Sequence, residues 1–395
     1  MRSLPSFRLI DELFLHSTYS RRRGDPGIID FTFGNPHEMP QAAYVDALRD
    51  ALTPRDPNWY GYQIYVPRAQ EAAAASLRRL LDVPFEPDDV LLTTGGFSAI
   101  ALAMKAVADP GDEVLFSLPP WFFYEGLAVE AGLVPVKVRL MPDSFDLDVD
   151  AIAAAITPRT RIVIVNSPNN PTGRIYPPET LSRLATVLEE ASTRNGRRIF
   201  LISDEPYNRI VFDGARFRSP VEFYPYSFLA YSYGKTHLAP GQRIGYVALP
   251  PTMPDRETMR QAISDLTILI GYAFPNAVLQ YAVPRLEQFS IDIAHIQRKR
   301  DRLVDALRDM GYRVQRPQGT FYLFVRSPIA DDRAFVELLT EHDIFVMAGH
   351  LFETPGYFRI SLTANDDMIE RSLPGFAAAI DRVATISPPE AMTAD

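Results

Sequence analysis

Cysteine is absent from this chain of 395 residues, which excludes disulfides, thiolate catalysis and cysteine-ligated metal sites. The six histidines form no H-x-x-x-H or H-E-x-x-H pair, so we expect no metal centre. No apolar run is long enough for a signal peptide or a membrane-spanning helix, and we therefore expect a cytoplasmic protein that binds no membrane. The formal net charge of −9 also disfavours a nucleic-acid partner.

Lysine is rare, since the chain has only four. Lys105 lies in a helical pattern, Lys137 in a short polar–apolar alternation, and Lys299 in a basic run that we expect to face solvent. Only Lys235 directly follows an apolar strand pattern, Phe228–Ser232. This position favours a functional role for Lys235 over the surface role that is usual for a lysine.

The chain is too long for one simple core, so we expect two domains. Between about residues 89 and 250, short apolar runs alternate with helical patterns. Runs that are apolar throughout are typical of strands buried on both faces, which predicts an α/β unit with a mostly parallel sheet. The predicted strands are Val90–Thr93, Glu113–Ser117, Arg161–Asn166, Ile199–Ser203, Phe228–Ser232 and Arg243–Leu249.

After about residue 270 the pattern changes to that of a smaller α+β unit. One long helical pattern runs from about Pro275 to Met310, and short strands and two further helices follow. We predict an N-terminal arm (1–45) packed on the small domain, a large domain (46–280) and a small C-terminal domain (281–395).

Polar clusters follow four of the predicted strands. They are Thr94–Ser98, Asn166–Gly173, Asp204–Tyr207, and Ser232–Lys235 with Arg243 shortly after. Ligands of open α/β sheets bind beyond the carboxyl ends of strands, so we expect these clusters to surround one site. Taken alone, each cluster is also compatible with an ordinary turn or helix cap.

Together the clusters fit the chemistry of an aldehyde cofactor with a pyridine ring and a phosphate. A lysine amine forms an imine with an aldehyde, and an aspartate keeps a pyridine nitrogen protonated. Tyrosine and asparagine can bind a phenolate oxygen. A glycine-rich helix start with serine and arginine suits a phosphate.

From about residue 29 to 380 the chain resembles the class I/II aminotransferases, which are fold-type I enzymes dependent on pyridoxal 5′-phosphate (PLP). The resemblance implies that Lys235 carries the cofactor, Asp204 binds its ring nitrogen and Tyr207 its 3′-oxygen. Asn170, in Asn-Asn-Pro-Thr-Gly, would contact the cofactor oxygen and the substrate carboxylate. Trp121 would stack on the pyridine ring. The implied phosphate ligands are Gly96, Phe97, Ser98, Ser232 and Arg243.

The resemblance also assigns substrate and partner contacts. Gly34 resembles the glycine of the Gly-Glu-Pro loop beside the substrate, and Arg359 resembles the arginine that binds the α-carboxylate. Tyr60 resembles the tyrosine that reaches the phosphate of a neighbouring subunit, which implies a homodimer with shared active sites. The sequence departs from the family pattern around the substrate entrance and the dimer contact, at Asn35, Tyr65, Ala69, Gln70 and Ala348.

We predict an enzyme that moves an amino group between an L-amino acid and a 2-oxo acid. Elimination, decarboxylation or oxidation on the same scaffold stays an alternative, because fold and cofactor residues do not decide among these reactions. A PLP-sensing transcription regulator is disfavoured, since the motif at Ile29–Pro36 leaves no room before it for a DNA-binding module.

The substrate side chain is left open by the sequence. Arg21, Arg22 and Arg23 are candidates for binding a side-chain carboxylate because they lie near the expected entrance. A group of aromatic residues belongs either to a pocket for a large side chain or to the core. These residues are Phe33, Trp59, Phe122, Phe123 and Tyr124.

Overall fold

The computed structural model describes residues 10–386. The strands in this range are β1 (Ile29–Asp30), β2 (Val90–Thr93), β3 (Glu113–Leu118), β4 (Val134–Arg139), β5 (Thr160–Asn166), β6 (Phe200–Asp204), β7 (Ser227–Ser232), β8 (Gly245–Ala248), β9 (Arg313–Val314), β10 (Tyr322–Arg326), β11 (Ile344–Phe345), β12 (Met347–Ala348) and β13 (Tyr357–Ser361). The main sheet has the order β2-β8-β7-β6-β5-β3-β4. Only β8 runs antiparallel to its neighbours, so the predicted mostly parallel α/β sheet is confirmed.

Helices connect these strands and cover the sheet. The α-helices are Thr18–Arg22, Ala42–Leu52, Pro67–Leu80, Gly96–Val107, Tyr124–Glu130, Val149–Ala155, Pro178–Asn195, Tyr233–Thr236, Arg256–Leu269, Ala277–Leu286, Ile293–Asp309, Asp332–Thr340 and Asp366–Ile386. No helix between residues 10 and 386 has the length and apolar character needed to cross a membrane.

The central strands bring the predicted polar clusters to one edge of the sheet. β6 and β7 are buried along their whole length, as their continuous apolar sequences predict. The register places Asn166, the last residue of β5, beside Asp204, the last residue of β6. Ser232 at the end of β7 pairs with Gly245 of β8. The side chains that follow these strands therefore meet in one region.

Two elements of secondary structure differ from expectation. β4 was not predicted, because this edge strand exposes Val134 and Arg139 and so lacks a continuous apolar run. The single helix expected from Pro275 to Met310 is in fact two helices, Ala277–Leu286 and Ile293–Asp309. The second helix begins at its own cap, since the Asp292 carboxylate accepts a 3.0 Å hydrogen bond from the His295 N–H.

Lys299 and Arg300 of the basic run do not face solvent, which corrects our expectation, whereas Arg298 is exposed. The Lys299 side chain is 2% exposed, and its ammonium donates to Glu38 Oε1 at 2.5 Å and to the Ala364 carbonyl at 2.8 Å. Arg300 is also buried and pairs with Asp213. The partners are distant in sequence, so the local pattern of charges could not reveal this burial.

The N-terminal segment packs against the C-terminal part of the chain. β1 pairs in parallel with β11, beside the antiparallel sheet β12-β13-β10-β9. Both predicted domain boundaries fall inside helices, Ala42–Leu52 and Ala277–Leu286, which pack together in one apolar cluster. The division into an arm and two domains stays a prediction, with its limits better placed in the segments that flank these two helices.

Candidate active site

A cavity of about 300 Å³ lies beyond the carboxyl ends of β5, β6 and β7. Six residues predicted for the site line it: Gly34, Trp121, Asn170, Tyr207, Lys235 and Arg359. The other lining residues are Phe14, Arg23, Phe33, Asn35, Phe122, Phe123, Pro240 and Tyr322. The cavity is thus largely aromatic, with a lysine and two arginines as its cationic groups.

Lys235 offers an amine that no carboxylate neutralises. The residue lies in the one-turn helix Tyr233–Thr236 directly after β7, and its side-chain amine has neither an ion pair nor a hydrogen bond within residues 10–386. The other three lysines all form ion pairs with glutamates, Lys105 with Glu130, Lys137 with Glu125 and Glu353, and Lys299 with Glu38. Lys235 is therefore the lysine available for covalent chemistry.

Asp204 is a fully buried carboxylate at the end of β6. Tyr124 Oη donates a hydrogen bond to its Oδ2, and Asn166 Nδ2 lies 3.3 Å from the same atom. Burial raises the pKa of Asp204 to about 7, although the Tyr124 hydrogen bond and the charge of Lys235 oppose this shift. A cation placed beside Asp204 would restore its ionised form.

Hydrogen bonds link Asp204 to the opposite wall of the cavity. Asn166 Oδ1 accepts from the Asn170 N–H at 2.7 Å, while Asn166 Nδ2 donates to the Asp204 carbonyl at 2.8 Å. Asn170 Oδ1 in turn accepts from Arg359 Nη1 at 2.9 Å, and Arg359 Nη2 donates to the Thr32 carbonyl at 2.8 Å. Asn170 is therefore held through its backbone N–H by Asn166 and through its side-chain oxygen by Arg359.

Arg359 is a buried cation without a carboxylate partner among the described residues. Its guanidinium carbon lies 4.0 Å from the centre of the Tyr322 ring, and its Nε has no hydrogen-bond partner. Burial lowers the pKa of Arg359, and it raises the pKa of the neighbouring Tyr207 well above the usual range. An unpaired buried charge is costly, so this wall favours an anionic ligand.

The residues that the resemblance assigns to a phosphate form a second cluster. Arg243 lies against the start of the helix Gly96–Val107, because a methyl group built on Gly95 would lie 2.9 Å from Arg243 Nη2. A methyl on Gly96 would lie 3.4 Å from Ser232 Cβ. The Ser98 hydroxyl donates to the Gly95 carbonyl at 2.9 Å, which holds the turn. Backbone N–H groups and a guanidinium thus converge, as an anion requires.

Aromatic rings form a wall between these two groups of residues. The Trp121 ring lies edge-on to Phe97 at 5.1 Å and to Tyr124 at 5.4 Å between centroids. The resemblance implied that Phe97 is a phosphate ligand, and its ring also forms part of this wall. Since Tyr124 also binds Asp204, the wall and the buried carboxylate are packed as one unit.

The model of the aminotransferase class I and II family matches residues 26–374. The chain belongs to this family. An aspartate/prephenate aminotransferase of Thermus thermophilus is 31% identical over 373 residues, covering 91% of this chain and 93% of that enzyme. A solved amino transferase of Eubacterium rectale has a TM-score of 0.88 at 30% identity, covering 97% and 99% of the two chains. The aspartate aminotransferase of Thermus thermophilus solved with maleate has a TM-score of 0.82 at 27% identity, covering 96% and 97%.

These comparisons confirm that the chain is a fold-type I aminotransferase and that it transfers amino groups. Of the departures from the family pattern, Asn35 lines the cavity, whereas Tyr65, Ala69 and Gln70 have packing roles outside it. Ala69 is buried, and Gln70 donates a 2.8 Å hydrogen bond to the Val90 carbonyl. Tyr65 reaches Ser264 at 3.2 Å.

Tyr60 of the aminotransferase does not line the cavity of its own subunit. It is 60% exposed, and its hydroxyl donates to the Leu52 carbonyl. The aromatic residues that the sequence left open divide between two places. Phe33, Phe122 and Phe123 line the cavity, whereas Trp59 is buried against Tyr281 and Tyr124 lies behind Asp204.

Sequence reasoning assigned no specific contact to several residues that shape the aminotransferase site. Tyr124 was left open between pocket and core, and no local signal predicts its hydrogen bond to Asp204, which lies 80 residues later. Asn166 ends a predicted strand next to the Asp204 strand, so the parallel register could have identified it. Phe14 stacks on Phe33 at 5.1 Å from an N-terminal segment whose pattern is irregular.

Of the three arginines proposed near the entrance, only Arg23 lines the cavity. Arg22 pairs with Asp25 and Asp343, and Arg21 donates to the His16 carbonyl. Arg23 is exposed, has no carboxylate partner in the described chain, and lies 6.0 Å from the Phe14 ring centre. Arg23 is therefore free to meet an anionic group that enters the cavity.

Proposed function

We propose that this aminotransferase uses PLP held through Lys235 to move an amino group between an L-amino acid and a 2-oxo acid. The observation that carries this proposal is the convergence of three unpaired or desolvated groups on one site. These are the free amine of Lys235, the buried carboxylate of Asp204 and the buried guanidinium of Arg359.

The residues present fit PLP because each polar part of that cofactor has a matching group. A pyridinium beside Asp204 would relieve the cost of burying that carboxylate. Tyr207 and Asn170 are available for the ring oxygen, and the cluster around Gly96, Ser98, Ser232 and Arg243 suits the phosphate. Trp121 supplies a flat apolar face for the ring.

Bound PLP supplies an aldehyde that bonds to amines and a protonated ring that withdraws electrons from the substrate α-carbon. Asp204 would hold the ring proton by its negative charge. Lys235 Nζ would remove the proton from the substrate α-carbon and return it during the exchange. Arg359 and Asn170 would bind the α-carboxylate and so fix which bond faces Lys235.

The proposal is tested with purified protein, PLP and borohydride. Reduction should attach PLP to the peptide that contains Lys235, as detected by mass spectrometry. In a separate sample that is not reduced, incubation of the PLP-loaded protein with an amino acid and a 2-oxo acid should form a new amino acid and a new oxo acid in equal amounts. Attachment at another lysine, or release of ammonia in place of transfer, would contradict the proposal.

We propose that the two arginines of the cavity bind different carboxylates of the substrate. Arg359 is buried beside Asn170 and suits the α-carboxylate, whereas Arg23 lies at the exposed mouth and suits a carboxylate on the substrate side chain. Relatives named for aspartate support a substrate of this dicarboxylic class.

Arg359→Lys should lower kcat/KM about 10- to 100-fold for every amino acid, because lysine cannot make the paired hydrogen bonds of a guanidinium.

Arg23→Gln should lower kcat/KM for aspartate and glutamate but leave kcat/KM for neutral amino acids unchanged. Arg333→Gln is the control, since Arg333 is an exposed arginine outside the cavity. A loss confined to acidic substrates in Arg359→Lys would show that the assignments are reversed.

We propose that the working unit is a homodimer in which Tyr60 completes the partner's site. Tyr60 does not line the cavity of its own chain, and other exposed apolar side chains lie close to it in the sequence or in contact: Leu52, Tyr62 and Ile64. Aromatic residues with one polar group are typical of interface cores. Arg243, which has no carboxylate partner in the described chain, would share a phosphate with this tyrosine.

Mixing subunits tests the shared site. Lys235→Ala and Tyr60→Ala variants should each be impaired alone, and they should regain activity when their subunits exchange, because one hybrid site then has both native residues. Activity is measured before and after exchange, with Tyr62→Ala replacing Tyr60→Ala as a control. A protein that stays monomeric in sedimentation, or hybrids that gain nothing, would rule out shared sites.

A further inference from the structure

The helix that carries Lys235 spans only four residues, Tyr233–Thr236. One turn has no stability of its own, because nucleating a helix costs more than a single turn of hydrogen bonds returns. Surrounding contacts must therefore fix its position. Tyr231 Oη and Thr236 Oγ1 share a 2.7 Å hydrogen bond, and the Ile291 N–H donates to the Thr236 carbonyl at 2.9 Å.

An ion pair contacts this turn away from the cavity. The Tyr233 hydroxyl donates to Glu287 Oε1 at 2.5 Å, and Glu287 Oε2 lies 2.7 Å from Arg209 Nη1. The Arg209 guanidinium also lies 4.9 Å from the centre of the Tyr231 ring. The Glu287 side chain is 3% exposed and that of Arg209 is 15% exposed, so solvent screens their attraction only weakly.

The same ion pair reaches the loop that carries Tyr207. Arg209 follows Tyr207 by two residues, and the Ile210 N–H closes the turn onto the Tyr207 carbonyl at 2.8 Å. Neither Arg209 nor Glu287 lines the cavity. The pair therefore joins two segments that carry site residues while touching neither substrate nor cofactor space.

We propose that Arg209 and Glu287 are positioning residues, which act through Tyr233 to hold the Lys235 amine at the reacting atoms. The inference rests on the proposed role of Lys235. A displacement of about 1 Å in a catalytic group can reduce a rate about 100-fold, so a pair that fixes this turn affects chemistry without contacting it. An ion pair that only stabilises the fold would affect unfolding and leave the chemistry unchanged.

Two variants separate these possibilities. Glu287→Gln removes the charge but keeps an acceptor for Tyr233, and the double variant Arg209→Met/Glu287→Met removes both charges together. A variant that removes only one member of the pair leaves the other as an unpaired buried charge, which can unfold the protein. The double variant leaves no unpaired ion, so we expect it to stay folded. The assay measures the rate at which Lys235 forms its covalent bond with PLP. The reaction is stopped with borohydride, and the labelled peptide is measured by its mass. This rate depends on the position of the Lys235 amine and does not require turnover.

Both variants should slow capture and kcat by roughly tenfold or more, with the KM for the amino acid changed less than about twofold. Glu113→Gln is the matched control: its side chain is 4% exposed and paired with Arg159, but it begins β3 at the opposite end of the sheet. The control should lower the unfolding temperature and leave capture unchanged.

The outcomes distinguish this inference from the proposed function. If the parent protein is never captured at Lys235, the proposed function fails. If the parent is captured and Glu287→Gln and the double variant match Glu113→Gln in capture and kcat, Arg209 and Glu287 have only a structural role and the inference is overturned.

Discussion

Lys235→Ala should lose nearly all turnover, because no other described lysine is free to replace it. Lys105, Lys137 and Lys299 are each held by a glutamate. In the proposed mechanism the variant loses both the amine that would bond the cofactor and the base that would act at the α-carbon. Removing a group that acts as both nucleophile and base reduces rates by several orders of magnitude, on the order of 10⁴ or more.

The measurement combines steady-state activity with the visible absorbance of the PLP-loaded protein. Lys235→Ala should lose the absorbance of the covalently bound cofactor while still retaining PLP through Asp204 and the phosphate cluster. Lys105→Ala is the matched control, since Lys105 lies on the surface and pairs with Glu130. Normal turnover in Lys235→Ala would remove the basis of the site assignment.

Asp204→Asn should have opposite effects on activity and on stability. The pKa of Asp204 is raised to about 7 in the folded chain, from an ordinary value of 3.8. Stability associated with the protonated group is fully present below pH 3.8 and is lost as pH rises through 7. Asparagine never ionises. We therefore expect the free energy of unfolding of the cofactor-free variant to be about 4 kcal/mol higher than that of the parent at pH 8.

The same substitution removes the charge that would hold a proton on the cofactor ring. We expect a rise of about 3–5 kcal/mol in the barrier to α-proton removal, which single-turnover kinetics would measure. Urea unfolding of the cofactor-free proteins at pH 5 and pH 8 measures the stability difference, which should be larger at pH 8. Unchanged proton removal would assign Asp204 a structural role only.

The sequence was sufficient to predict the location of residues that end or directly follow a single buried strand. Lys235, Asp204 and Asn170 could be located because each comes shortly after a continuous apolar run, and parallel strands carry such residues to a common edge. The fold class followed from the same runs. Edge strand β4 escaped detection because it exposes Val134 and Arg139 at its ends and so lacks a continuous apolar run.

Contacts between distant segments could not be predicted in this way. Tyr124 and Asp204 are 80 residues apart, and Glu38 and Lys299 are 261 residues apart. A buried lysine and a solvated lysine have the same local sequence pattern when their partners come from elsewhere in the chain. Only Asn166 could have been inferred, from the register of neighbouring strands.

The hydrogen-bonded series Asp204–Asn166–Asn170–Arg359 has a consequence for how this enzyme can be redesigned. Arg359 and Asp204 are linked by hydrogen bonds through Asn170 and Asn166, so we expect a substitution at one of them to disturb the other. Phe14 and Arg23 instead come from the N-terminal segment, outside that series. Libraries aimed at new substrates should therefore vary the positions of Phe14 and Arg23 and leave the sheet edge untouched.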